Sequence, residues 1–102
     1  IRPGDHVLIL AAGGSIGAHA VQIAKAMGAE VTGVDHGDKA GFLRRMGADH
    51  VVDYRTEDAL AVAGRYDVVF DMVPGTPLNA ALRALRPGGR YLNGNPRLSI
   101  LL

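Results

Sequence analysis

The sequence predicts an open, doubly wound α/β domain, a parallel sheet of about five strands in the order 3-2-1-4-5 with helices on both faces. Three observations lead there. Short apolar runs, HVLIL from His6, EVTGV from Glu30, HVVDY from His50, DVVF from Asp67 and RYL from Arg90, alternate with helix-like segments. The runs are rich in β-branched residues and lack polar alternation, as do strands covered on both faces. Right-handed crossovers then set the strand order, and no repeat or low-complexity linker interrupts the series.

The elements follow in turn. After HVLIL comes a loop of small residues, and then Ile16, Ala20, Ile23, Ala24 and Met27 share one helical face, with Gly28 where a left-handed C-terminal cap belongs. A second helix is expected from Asp38 to Met46, burying Leu43 and Met46 and ending at Gly47. Thr56 reads as the N-cap of a short third helix. In TPLNAALRAL, Thr76 caps, Pro77 suits the first turn, and Leu78, Ala81, Leu82 and Leu85 form the buried stripe. RPGG then breaks the helix before the last strand. The closing PRLSILL reads as an apolar helical start, so the domain is expected to be truncated before a sixth strand.

Composition narrows the classes of function. The 102 residues, 48% of them hydrophobic, suit one compact domain rather than a two-domain enzyme. Eleven basic against ten acidic residues leave a net charge of +1 with no Lys/Arg cluster, so neither nucleic acid nor a membrane surface is an expected partner. Without cysteine the chain has no disulfide and no thiolate zinc site. IRPGDHVLIL lacks the features of a signal peptide and no apolar run approaches a membrane span, which predicts a soluble, cytoplasmic protein.

The segment Ala11-Ala12-Gly13-Gly14-Ser15-Ile16-Gly17 carries the chemistry. From Ala12 to Gly17 it is A-x-G-x-x-G, a dinucleotide fingerprint with alanine at the first glycine position, placed between a strand and a helix. A pyrophosphate must come close to the backbone there, to accept N–H bonds from the first helical turn and meet the positive end of the helix dipole. Gly14 would open the approach, Gly17 would seat the helix on the strand, and Ser15 and Ile16 would offer N–H groups. Asp35 lies eighteen residues past Gly17 at a strand end, where it can accept from both ribose hydroxyls and repel a 2′-phosphate. Lys39 argues the other way, as a partner for such a phosphate. The choice between NAD and NADP therefore stays open.

Nearly the whole chain is similar to the nucleotide-binding domain of the medium-chain dehydrogenase/reductase superfamily, and resembles its zinc-independent quinone-reductase and enoyl-reductase members most. RPGDHVLI matches the entry strand, GGSIGAHAVQIAKAMGAEVTGV the phosphate loop and first helix, MGADHVVDYRTED the third strand, and YDVVFDMV and LRPGGRYL the rest in order. The resemblance implies a Rossmann-type domain that binds NAD or NADP through the backbone of Gly14, Ser15 and Ile16. It implies contacts of Lys39 and Tyr54 with the adenosine 2′-phosphate in NADP users, and approach of the nicotinamide to Val73 and the Gly94-Asn95 loop. Pro74 stands where the family commonly has glycine, which stiffens that loop and removes an N–H. The family's GroES-like catalytic domain, with any zinc ligands, would lie elsewhere in a longer parent chain.

Other chemistry is not indicated. His6, His19, His36 and His50 lack ligand spacing and read as surface or strand-end residues, with His36 alone placed to touch an adenosine. Asp67 and Asp71 bracket a strand, which suggests capping or solvation. Tyr54 is expected to stack on adenine or to sit partly buried. The implied reaction moves hydride between a nicotinamide and a carbonyl, quinone or activated alkene, with no catalytic residue in these positions and no turnover by the fragment alone. YDVVFDMV with ALRALRPGGRYL also resembles a class I methyltransferase, and a non-catalytic nucleotide-binding module is a third reading. An edge position for the last strand makes a homodimer one expected assembly.

Overall fold

The computed structural model describes residues 1–94. In chain order these form β1 (His6–Leu10), α1 (Ser15–Ala26), β2 (Glu30–Asp35), a 3-10 turn (Gly37–Lys39) running into α2 (Ala40–Met46), β3 (His50–Asp53), β4 (Tyr66–Asp71), α3 (Leu78–Ala84) and β5 (Leu85–Asn93). The expected helical start in PRLSILL and the expected role of Asn95 lie outside the described residues.

The five strands are all parallel and lie in the order β3-β2-β1-β4-β5, as the sequence predicts. Alternate residues of central β1 feed two cores. Val7 and Ile9 pack with Val21, Ala24 and Leu43 on the face covered by α1 and α2. Leu8 and Leu10 pack with Tyr66, Val69 and Ala84 on the other.

Helix α1 buries the expected Ala24, with Ala20 packed against the core, but not the expected large residues. Gly17, Ala18, Val21 and Ala24 face the sheet, whereas Ile16 is 59%, Ile23 60% and Met27 44% exposed. The helix is apolar on two sides, and its small-residue side allows the closer approach. A Cβ on Gly17 would lie 2.4 Å from the Ala11 carbonyl oxygen and 2.7 Å from Ala12 Cα, so bulky side chains have no room beneath. The C-terminal expectation holds: Gly28 has φ 88°, and Ala29 N–H donates back to the Ala24 carbonyl.

The second helical segment matches its predicted range, with Leu43 buried as expected and Met46 only partly so. The 3-10 turn begins it one residue early, Leu43 is fully buried, and Gly47 closes it at φ 116°. In α3 the sheet-facing residues are Ala81 and Ala84, while Leu78 and Leu82 are about half exposed. Thr76 is not its N-cap; Pro77 holds that position, because the Thr76 hydroxyl is already engaged by Asp71. The chain passes straight from α3 into β5. RPGG is a bulge within that strand rather than a break, with Leu85 opposite Tyr66 and Arg90 opposite Val68.

No helix follows Thr56. The stretch after β3 is a chain of turns, organised by Asp53, whose carboxylate accepts from the Arg55 backbone N–H at 2.9 Å and from its guanidinium at 3.0 and 3.1 Å. Such Asx-type bonding satisfies the backbone locally and competes with helix formation. The Tyr66 hydroxyl then anchors the stretch by donating to the Ala59 carbonyl at 3.0 Å.

The Asp53 pair gives a pH-dependent prediction. The side-chain and backbone hydrogen bonds from Arg55 lower the Asp53 carboxyl from 3.8 to about 2. A folded value below the unfolded one contributes stability that is present above the unfolded pKa and lost as pH falls through the folded one. The melting-temperature difference between the parent protein and Asp53→Asn should therefore be constant near neutrality and close between about pH 4 and pH 2. A difference that stays the same across a thermal-melt series down to pH 2 would show that the ionised carboxylate contributes nothing there.

Candidate functional site

A cleft of about 690 Å³ opens at the C-terminal ends of β1, β2 and β4, where the strand order reverses direction; Leu10, Val34, Asp35, Tyr54, Val73 and Thr76 line it. Its edge is the small-residue loop. Ala11 turns the chain with φ 63°, the Ala12 N–H donates to the Val34 carbonyl at 3.0 Å, and the Gly14 N–H donates to the Ala11 carbonyl at 3.2 Å.

Helix α1 then starts at Ser15 with Gly14 as an N-cap that has no side chain to offer, and its first turn contains no acid. The N–H groups of Ser15, Ile16 and Gly17 have no acceptor within the helix. Ser15 and Ile16 are exposed, so a bare, positively polarised helix end faces solvent at the cleft's edge.

Gly14 and Gly17 sit as expected, and Gly13 adds a role that was not expected. Gly17 seats the helix on the strand, as predicted. Gly14 is open, since a Cβ there would make only an ordinary contact, 3.6 Å from the Ala11 carbonyl oxygen. Gly13 is the crowded position: a Cβ would meet Lys39 Cδ at 2.4 Å and Asp35 Oδ2 at 2.8 Å. The reason is a bond that sequence reasoning missed. The Gly13 N–H donates to Asp35 Oδ2 at 2.8 Å and the His36 N–H to Asp35 Oδ1 at 2.7 Å, which fixes the carboxylate between β2 and the loop.

Of the remaining expected residues, Tyr54 and Val73 line the cleft, whereas Lys39 and Ala12 do not. Lys39 is exposed and its stem passes over Gly13. Tyr54 is 60% exposed rather than partly buried, with its ring edge-on to His36 at 6.4 Å. Val73 stands on the opposite wall. Ala12 is fully buried beneath the loop.

Asp71 takes the capping role of the two expected for it, not the solvated one. It is fully buried and sits under the Val73–Thr76 turn. Its Oδ1 accepts from the Val73 N–H at 2.8 Å and the Thr76 hydroxyl at 3.1 Å, and its Oδ2 accepts from the Tyr91 hydroxyl at 2.6 Å. Burial, with this bond, pushes the Tyr91 phenol above its ordinary pKa. An acid closing an apolar run ahead of V-P-G-T was the available signal. Asp67 also caps as expected, accepting from the His6 N–H at 2.8 Å and from Arg86 at 2.7 Å.

His6 and His50 lie at the far ends of their strands and share the Glu30 carboxylate, which their hydrogen bonding and charge hold below the ordinary glutamate range. Among the described residues no group of three or more His, Asp or Glu side chains is arranged to hold a metal ion, and no helix is long and apolar enough to cross a membrane.

The sheet order and the crossover helices on both faces define a Rossmann-type α/β domain. Residues 15–93 match the zinc-binding dehydrogenase family, and the chain belongs to that family, within the medium-chain dehydrogenase/reductase superfamily. It is 42% identical over 97 residues to the spectinabilin polyketide synthase system protein NorB of Streptomyces orinoci, covering 90% of this chain and 4% of that protein. It is 38% identical over 86 residues to a mitochondrial NAD(P)H oxidoreductase of Bos taurus, covering 81% of this chain and 22% of that one. The solved CurK enoyl reductase superposes with a TM-score of 0.81 at 35% identity, over 91% of this chain and 30% of that one. The chain thus spans less than a third of these relatives.

Proposed function

We propose that this chain is the NAD(P)-binding domain of an oxidoreductase that moves hydride between a nicotinamide cofactor and a carbonyl, quinone or activated alkene. The observation that carries the reading is the uncapped, acid-free start of α1, bared by a loop in which Gly13 and Gly17 both lack room for a Cβ. A dinucleotide fits this chemistry: the N–H groups of Ser15 and Ile16 would hold its pyrophosphate, with Gly14 leaving the approach open.

Asp35, already oriented by two backbone N–H groups, would accept from the adenosine ribose, and Lys39 and Tyr54 would flank that end. Val73 would meet the nicotinamide end. When bound, the cofactor supplies the hydride chemistry; the described residues bind and orient. Substrate contacts, and any zinc, would come from a GroES-like domain in a longer parent chain, which we place in the cytoplasm. The names of the relatives, an NAD(P)H oxidoreductase and an enoyl reductase among them, support this class.

Calorimetric titration with NADH, NADPH and S-adenosylmethionine tests the proposal. Binding of NADH or NADPH, and none of S-adenosylmethionine, is expected. Because Asp35 opposes a 2′-phosphate and Lys39 favours one, the ratio of the first two affinities reports which side chain governs. Heat from S-adenosylmethionine alone would reassign the site to methyl transfer, and heat from none of the three would remove the nucleotide reading.

A further inference from the structure

Asp71 is the only buried residue among the Asp, Glu, Lys and Arg of the described chain, and all its donors are neutral. Tyr91 donates its hydroxyl to Asp71 Oδ2 and accepts from Asn93 Nδ2 at 3.1 Å. Both Asp71 oxygens therefore serve as acceptors. A carboxyl group is costly to bury unless its oxygens find donors, and here the donors come from the Val73–Thr76 turn and from β5.

What the carboxylate secures is the geometry of one wall. Oδ1 gathers the Val73–Thr76 turn, in which Pro74 has no N–H to contribute and Gly75 takes φ 85°, while Oδ2 ties that turn to Tyr91 on β5. The turn faces the cleft from the β4 side, and Asp35 faces it from the β2 side. A dinucleotide laid across the strand-order reversal, with its pyrophosphate at α1 and its adenosine toward Asp35, directs its other ring to the Val73–Thr76 turn.

We infer that Asp71 is a positioning residue, which through the Val73–Thr76 turn and Tyr91 sets the wall that receives the nicotinamide half of the cofactor. This rests on the nucleotide reading above. The test compares two ligands on the full chain: whichever of NADH or NADPH binds, and its counterpart without nicotinamide, ADP-ribose or the 2′-phosphorylated form. Asp71→Asn and the milder Tyr91→Phe should weaken the dinucleotide about tenfold and leave the nicotinamide-free ligand within about twofold.

Equal weakening of both ligands would make Asp71 a purely structural residue and overturn the inference, as would unchanged dinucleotide affinity. If Asp71→Asn does not fold, Tyr91→Phe decides by the same comparison. An unsubstituted protein that binds neither ligand would instead defeat the nucleotide reading itself, and the inference with it.

Discussion

Gly17→Ala is expected to lower the thermal midpoint by roughly 10–20 °C, a loss of about 3 kcal/mol for a domain of this size. Two effects oppose each other. Replacing glycine by alanine inside a helix is worth about 1 kcal/mol from backbone entropy. Against it stands a Cβ placed 2.4 Å from the Ala11 carbonyl oxygen and 2.7 Å from Ala12 Cα. Both obstacles are backbone, and Ala12 is held by its own bond to β2, so neither can turn aside. The helix must lift from the sheet, and the contacts of Val21 and Ala24 with Val7 and Ile9 loosen with it.

Gly14→Ala is the matched control, because its Cβ meets nothing closer than 3.6 Å at an ordinary φ of −76°. Differential scanning calorimetry of the two variants should show a large shift for Gly17→Ala and a clearly smaller one for Gly14→Ala, where only the preference of an N-cap for glycine over alanine is lost. Similar midpoints would mean that α1 does not seat on β1 as closely as described.

The same closeness explains what could be read from the sequence and what could not. Strand order was legible because it depends on the alternation of apolar runs and on crossover handedness, which leave few arrangements. The place of the loop between β1 and α1 was legible from its run of small residues, which the close seating of α1 at Gly17 requires. The buried faces of α1 and α3 were misread by equating core with bulk. In α1, Ile16, Ile23 and Met27 repeat at helical spacing as convincingly as Gly17, Val21 and Ala24, and only the distance between helix and sheet favours the smaller set. In α3 the expected Ala81 is buried and Ala84 joins it, while Leu78 and Leu82 stay half exposed for the same reason.

Bonds between distant residues were out of reach. Nothing local to Asp35 shows that it will hold the Gly13 N–H, and nothing local to Asp71 shows that Tyr91, on another strand, will supply a hydroxyl. Thr56 was a reasonable cap by type. The preceding Asp53 captured Arg55 first and turned the chain out of a helical path.

Ser15→Asp sets binding against folding at the heart of the site. Ser15 is the first residue of α1 and is exposed. A carboxylate there improves the helix, since negative charge at the N-terminus is stabilising by about 0.3–1 kcal/mol. The same charge confronts an incoming pyrophosphate within a few ångströms, where repulsion at the effective dielectric of a protein surface amounts to about 2 kcal/mol or more. The expected pair of results is an unchanged or slightly higher melting temperature together with NADH or NADPH affinity at least about tenfold weaker. Ser15→Ala, which leaves the backbone N–H groups in place and adds no charge, should bind close to normally.

A direct measurement of dinucleotide affinity in Ser15→Asp beside Ser15→Ala, each with its melting curve, therefore bears on the central claim. Loss of affinity in the first alone, with the fold intact, is the predicted outcome. Undiminished binding in Ser15→Asp would contradict it, since no diphosphate could then be resting on the start of α1.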